Sequence, residues 1–191
     1  MPNNYHRKSI RLKEYNYSQL GEYFVTICTK DQECVFSSII NGKMNLNGRG
    51  RIVDGCWKRI PEHFPNVVLD EYKILLHALR ATVTGLRLPN HVHGIILLNE
   101  YVVGTRHAVS LPKQFGKPAS GSVSTIVRSL KSAAAKRIKE THLTSKTPIW
   151  QPRYYDQIIR DERELQNIRD YIDNNVLTWA FEKEHPENIP L

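Results

Sequence analysis

The chain has 191 residues, of which 40% are hydrophobic, and 27 Lys and Arg against 19 Asp and Glu give it a formal charge of +8. That length suits one domain with its own core, and the excess of positive charge favours a polyanionic partner, nucleic acid first and an anionic membrane surface as the rival. No apolar run approaches the roughly 20 residues of a spanning helix, and the polar start Met1 to Lys8 lacks the apolar region of a secretory signal. Cys28, Cys34 and Cys56 form neither an even disulfide set nor a close metal-binding pair. The expectation is a reduced cytoplasmic protein with a single domain over 1–191.

A basic arm over 1–20 comes first. Tyr5 to Lys13 holds His6, Arg7, Lys8, Arg11 and Lys13, which can lie on a phosphate backbone or stand solvated. Glu22 to Lys30 is β-branched and aromatic and reads as a central strand, with Cys28 in it as a small hydrophobe. Phe36 to Leu46 holds two short apolar pieces around Asn41-Gly42, a pair that accepts the positive φ values of a type I′ hairpin turn. Arg51 to Phe64 places Ile52, Val53, Cys56, Trp57, Ile60 and Phe64 at helical spacing, with Pro65 as the stop. Val67 to Leu76 reads as the next strand.

Leu88-Pro89-Asn90-His91-Val92-His93-Gly94 reads as a tight turn feeding a strand that runs to Leu98. Side chains repeat direction every second residue in a strand, so His91 and His93 share a face while Val92 takes the other. Two imidazoles side by side can share a divalent metal, or can merely decorate a sheet. If they face a solvent-filled cleft, replacing either should leave stability nearly unchanged.

From about 101 to 121, Gly104, Pro112, Gly116, Pro118 and Gly121 with little periodicity predict a mobile loop. Ser122 to Glu140 predicts a helix with Val123, Ile126, Val127, Leu130, Ala134 and Ile138 inward and a basic stripe of Arg128, Lys131 and Lys139, available to phosphate. Pro148 to Ile159 reads as a last strand, with Pro152 arguing for an edge or a bulge. It is basic and aromatic together, which makes Trp150, Arg153 and Tyr155 candidate DNA contacts. Tyr154 and Tyr155 point in opposite directions, one to the core and one free to stack on a base. Asp161 with Glu164 three residues on resembles a capping box, opening a helix that buries Leu165, Ile168, Ile172 and Trp179.

The order strand, helix, strand, strand, helix, strand, with a further helix at the end, suits a ferredoxin-like α+β sandwich with an antiparallel sheet. A doubly wound parallel sheet would need glycine-rich βα turns, which are lacking. No internal repeat is present. On the terminal helix Tyr171 and Asn175 are four residues apart and share a face.

Taken together, Ser9-Ile10-Arg11-Leu12-Lys13, Tyr23 to Thr29, His63-Phe64-Pro65-Asn66-Val67, Pro89 to Ile95, Trp150-Gln151 and Tyr171 to Trp179 resemble the single-tyrosine HUH transposases, and within them the REP-associated tyrosine transposases of bacteria. The resemblance covers nearly the whole chain. It implies a ferredoxin-like fold and cleavage and joining of single-stranded or hairpin DNA by a monomer or homodimer, at the bacterial nucleoid and away from membranes. Tyr171 falls on the nucleophile's position, and His91, His93 and Asn175 fall on the ligands of a divalent metal, Mg²⁺ or Mn²⁺. A hairpin-binding protein that does not cut, or a metal-dependent hydrolase without a tyrosine nucleophile, would be the alternatives. Two stretches depart from the family pattern. Lys73 to Leu88 is longer than usual and threatens the hairpin partner of the histidine strand, and Val176 replaces a common proline, so the helix is expected to continue.

The residue types suit that chemistry. Neutral ligands leave a metal its full charge for phosphate oxygens. A tyrosine, with a reference pKa of about 10, must lose its proton as it attacks.

Overall fold

A computed structural model describes residues 17–30, 35–40, 43–75, 91–100, 121–141 and 148–182. The basic arm through Lys13 and the expected loop up to position 120 lie outside the described residues. Strand β1 (Gly21–Cys28) alternates as expected, and it is apolar on both faces, with Tyr23, Val25 and Ile27 buried on one and Phe24 on the other. Strands β2 (Ser37–Ile40) and β3 (Lys43–Leu46) form the accessory hairpin, with Ile40 opposite Lys43. That register leaves Asn41 and Gly42 as its connection, and both lie outside the described residues.

The helix expected over Arg51 to Phe64 is two helices, α1 (Gly48–Lys58) and α2 (Ile60–His63). It starts early because Asn47 caps it, its Oδ1 accepting from the Gly50 N–H at 3.0 Å. It breaks because Pro61 has no N–H to offer the Trp57 carbonyl, which accepts from Arg59 instead. Pro65 was the proline read as the stop; Pro61 acts first.

After β4 (Val67–Leu75), β5 (His91–Leu98) and α3 (Val123–Thr141) comes β6 (Tyr155–Ile159), which is shorter than the strand expected from Pro148. Residues ahead of it meet the end of β1 at a Thr29–Trp150 bridge, with the Gln151 N–H donated to the Cys28 carbonyl at 3.0 Å and the Lys30 N–H to the Ile149 carbonyl at 2.8 Å. Pro152 cannot donate to a ladder, and the Gln151, Pro152 and Arg153 carbonyls turn toward the Lys131 ammonium at 2.8, 3.5 and 3.0 Å. Helix α4 (Glu162–Glu182) closes the described fold and runs past Val176, as the missing proline allows. Its cap is a variant of the expected box. Asp161 Oδ1 accepts from the Glu164 N–H at 2.8 Å, while the Glu164 carboxylate reaches back to the N–H of Arg160 and not of Asp161. Among the described residues no helix is long and apolar enough to cross a membrane.

The four strands order as β4-β5-β1-β6, every neighbouring pair antiparallel. With a helical crossover from β1 to β4 and from β5 to β6, this is the ferredoxin-like arrangement. Helices α1 and α3 cover one face through Val53, Trp57, Ile126, Val127 and Leu130, packed on Tyr23, Val25, Val92 and Ile96. Helix α4 covers the other through Leu165, Ile168 and Ile172, on Phe24, Ile95 and Ile159.

Gly94, directly after the histidine pair, belongs to the α1 face. A Cβ there would run into the Trp57 ring and come within 2.9 Å of the Tyr72 Cβ, two rings that stack at 5.5 Å. The close approach of Trp57 is what requires glycine. Gly94→Ala is therefore expected to destabilise the fold by about 1–3 kcal/mol through overpacking, read as a lowered midpoint in denaturant titration with little change in slope. An unchanged midpoint would contradict this packing.

Candidate active site

Antiparallel pairing with β1 puts Cys28 opposite His91 and Thr26 opposite His93, and on the other side β4 places Leu75 and Lys73 opposite the same two histidines. The first residues of the unusually long segment, Lys73 to Leu75, are thus themselves the partner of the histidine strand, so that partner is kept. Residues 76–90 lie outside the described residues.

The two imidazoles share a face as alternation requires, with ring centroids 4.1 Å apart. They do not stand in an open cleft: His91 and His93 are only 4% and 5% exposed, with Tyr171 of α4 against His93. His93 stacks on Phe24 at 5.3 Å, and its Nδ1 hydrogen-bonds the Thr26 hydroxyl at 2.8 Å. With Nδ1 engaged there, the ring's orientation is set.

Tyr171 completes the cluster. Leu165, Ile168 and Ile172 seat α4 on the sheet, and on the flank of that stripe the half-buried Tyr171 ring stands 5.4 Å from His93 and edge-on to Phe24 at 6.1 Å. Residues 78 positions apart in sequence meet inside one chain. Asn175 lies on the same helix one turn further; its side chain, like that of Trp179, lies outside the described residues. Among the described residues no set of three His, Cys, Asp or Glu is arranged to hold a metal.

On the opposite flank, two polar contacts join α4 to β4. Arg169 grips Asp70, with Nη2 and Nε at 2.6 and 3.1 Å from Oδ2. Lys73 donates to the Asp173 carbonyl at 2.8 Å, with the Asp173 carboxylate at 3.6 Å. Burial raises the Asp70 carboxyl, but the hydrogen bonds from Arg169 and the Glu71 N–H, with the Arg169 charge, outweigh it and hold its pKa below the ordinary value.

The residues expected to meet a polyanion divide. Arg128, Lys139 and Arg153 are exposed, while Arg7, Lys8, Arg11 and Lys13 lie outside the described residues. Lys131 is not on an open stripe: its ammonium serves the three carbonyls ahead of β6 and sits 5.8 Å over the Tyr154 ring. Burial pulls its pKa down to about 8. Trp150 is a core residue, 8% exposed, packed on Phe36 at 5.0 Å with its indole N–H donated to the Lys131 carbonyl at 3.1 Å. Tyr154 packs toward the α3 side and Tyr155 toward the α4 side. Burial, then the charges of Asp156 and Glu164, push the Tyr155 phenol above its ordinary pKa.

Comparison with known proteins bears on this arrangement. Residues 115–175, which include Tyr171 and Asn175 and begin after the histidine pair, match the family described as "Transposase IS200 like". The chain is also 40% identical over 181 residues to an uncharacterized protein of Haemophilus influenzae (strain ATCC 51907 / DSM 11121 / KW20 / Rd), covering 92% of this chain and 91% of that one. Its fold is similar to that of a REP-associated tyrosine transposase solved bound to a REP hairpin, with a TM-score of 0.53, 17% identity, and coverage of 91% of this chain and 76% of that chain.

Sequence reading missed Thr26, Phe24 and the Asp70–Arg169 and Lys73–Asp173 contacts. The first two stand in a strand that shows only apolar alternation, and the others are joined across about a hundred residues, so no local pattern marks them. Burial also changes what histidine replacement should do. His93→Ala removes a stacked ring and leaves the Thr26 hydroxyl without its imidazole partner. A loss of about 1–3 kcal/mol is expected, measured by chemical denaturation in the absence of metal; full retention of stability would mean that the ring is not packed as described.

Proposed function

We propose that this chain is an IS200-like transposase that cleaves and rejoins single-stranded DNA beside a hairpin, with Tyr171 as nucleophile and His91, His93 and Asn175 as the ligands of a divalent metal. The observation that carries this reading is the 5.4 Å approach of the Tyr171 ring to the His93 ring within one chain. One chain thus brings nucleophile and histidine pair together, and the reading needs no second copy to supply either. The hairpin substrate is argued from the DNA in the similar structure of the REP-associated enzyme and from the net charge of +8.

The donor set fits the task. Two neutral imidazoles on one strand face, one oriented through Nδ1 by Thr26, and an amide one helical turn beyond the tyrosine leave a cation's charge undiminished. A bound Mg²⁺ or Mn²⁺ would supply Lewis acidity toward the phosphate oxygens and help orient the scissile phosphate. Tyr171 does the covalent work. Its phenolic oxygen bonds to phosphorus as the bond from phosphorus to the 3′ oxygen breaks; the phenolic proton is lost to solvent, and the departing 3′ oxygen takes one up as a hydroxyl. A 5′-phosphotyrosine and a free 3′ hydroxyl result. Because one phosphodiester replaces another, a second 3′ hydroxyl can reverse the step and join strands without a nucleotide cofactor.

On α4, Glu162 and Asp173 lie beside the cations of Arg169 and Lys73 and exposed Asp170 is accompanied by exposed Arg163, so the helix is not a surface of one sign. Arg153 stands at the β6 edge, near the strand ends that bear Thr26 and the histidines. Arg128, Lys139, Arg153 and the arm residues Arg7, Lys8, Arg11 and Lys13 are the phosphate contacts in this reading.

Incubation of the protein with a labelled single-stranded hairpin and Mg²⁺ is expected to give a denaturation-resistant adduct whose DNA-modified peptide contains Tyr171. Tyr171→Phe removes one oxygen, so folding and hairpin affinity should persist while the adduct disappears. Modification at Tyr154 or Tyr155 with Tyr171 untouched would overturn the assignment. Salt titration separates the basic residues: Arg153→Ala should lower the slope of log affinity against log salt by about 0.7 for a single-strand contact, whereas Lys131→Met should leave it unchanged. A reduced slope for Lys131→Met would return that residue to the DNA surface.

A further inference from the structure

The apolar contact between α4 and the sheet rests on Leu165, Ile168 and Ile172, a short stripe that favours burial without specifying direction. Hydrophobic packing of this kind holds the helix down, but by itself leaves its rotation and axial height weakly determined. The Asp70–Arg169 and Lys73–Asp173 contacts are directional.

Their placement on the helix matters. Arg169 and Asp173 are one turn apart on a common flank, and Tyr171 lies about 160° around the helix from each, given 3.6 residues per turn. Helix α4 is thus held at the β4 edge by one flank while the opposite flank carries the tyrosine over the histidines. Any rotation that releases Arg169 and Asp173 swings Tyr171 in the opposite sense. The strand side is arranged for the same end. Residues three apart on a regular strand point to opposite faces, yet Asp70 and Lys73 both meet α4. A register shift between Leu69 and Tyr72 supplies the extra residue, since Leu69 pairs with Ile96 and Tyr72 with Gly94. The bulge also keeps Leu69 and Tyr72 together on the α1 side. Lys73 is itself the β4 partner of His93, so the anchor and the histidine share one rung of the sheet.

We propose that Asp70, Arg169, Lys73 and Asp173 are positioning residues, a two-point clasp that sets the rotation and height of α4 and thereby holds Tyr171 over the His91–His93 pair. The clasp touches neither phosphate nor metal and acts only through the helix. The inference rests on the proposed role of Tyr171, and it concerns residues outside the group that performs the chemistry. A misplacement of about 1 Å in a reacting group lowers rate up to about 10²-fold; substrate affinity, set by other residues, should not follow.

The test compares the wild-type chain with Asp70→Asn, which keeps the shape and removes the charge, with Asp70→Arg, and with the double exchange Asp70→Arg/Arg169→Asp. Two readouts are taken: the rate of adduct formation at saturating hairpin beside the hairpin Kd, and the nuclear Overhauser contact between the Tyr171 and His93 rings, with the Trp57–Tyr72 contact on the other face as a fold control. Both single variants should weaken the Tyr171–His93 contact and slow adduct formation by about 10- to 100-fold at unchanged Kd. The exchange should restore both. Single variants that keep the ring contact and the rate, or an exchange that retains the Trp57–Tyr72 contact without recovering Tyr171–His93, overturn the clasp. If the ring contact is lost and restored as expected while the wild-type protein forms no adduct, the clasp stands and the nucleophile reading falls.

Discussion

Strand β5 is covered on both faces, and the rest of the molecule follows from that constraint. An antiparallel sheet commonly leaves one face to solvent, but here Val92, Ile96 and Leu98 pack under α1 and α3 while Ile95 packs under α4. Each residue of the strand is therefore committed to a layer by its parity. His91 and His93 fall on the α4 side, and Gly94 falls where Trp57 leaves no room for a side chain. A slip of one residue would bury the histidines among the aliphatic residues of the larger core and bring Val92 beneath the tyrosine helix. Pairing on both sides, with β1 and β4, makes that slip costly.

The same cover buries the histidine pair. Imidazoles 4% and 5% exposed, with Phe24 and Tyr171 against His93, sit where electrostatic interactions are stronger than in water. A metal held there would act on a phosphate with less competition from solvent. The arrangement also couples site and stability: the helix that carries Tyr171 packs beside His93, so in the proposed function access for a DNA strand and the seating of α4 would be linked. Apolar residues give α4 its affinity for the sheet, and the polar contacts at the β4 edge give it direction.

Among the described residues Arg128 and Lys139 on α3 and Arg153 ahead of β6 are exposed. Lys131 shows why composition alone misassigns such residues. Its stem runs beside the core and its ammonium closes the carbonyls of an irregular segment whose proline cannot join the ladder, so a charge that contributes to +8 serves the fold first.

The sequence by itself determined the strands β1 and β5, the hairpin, the helices α3 and α4, the ferredoxin-like order, and the common face of His91 and His93, because those rest on periods of 2 and 3.6 residues and on local caps and turns. It also carried the family resemblance, through motifs scattered from Ser9 to Trp179. Local signals misled where two of them competed, since Pro65 and Pro61 both could end α1; Pro152 marked an edge strand rightly, β6 being at the sheet's edge, but the strand starts only after it. Only the tertiary structure decided that the histidines are buried, that Trp150 belongs to the core, that Lys131 is engaged, and that Lys73 to Leu75 still pair with the histidine strand. It alone brought Tyr171 to His93 and Arg169 to Asp70. The reason is physical: periodicity tells which way a side chain points from its own element, whereas burial and partnership depend on what other elements, 80 or 100 residues away, are packed against it.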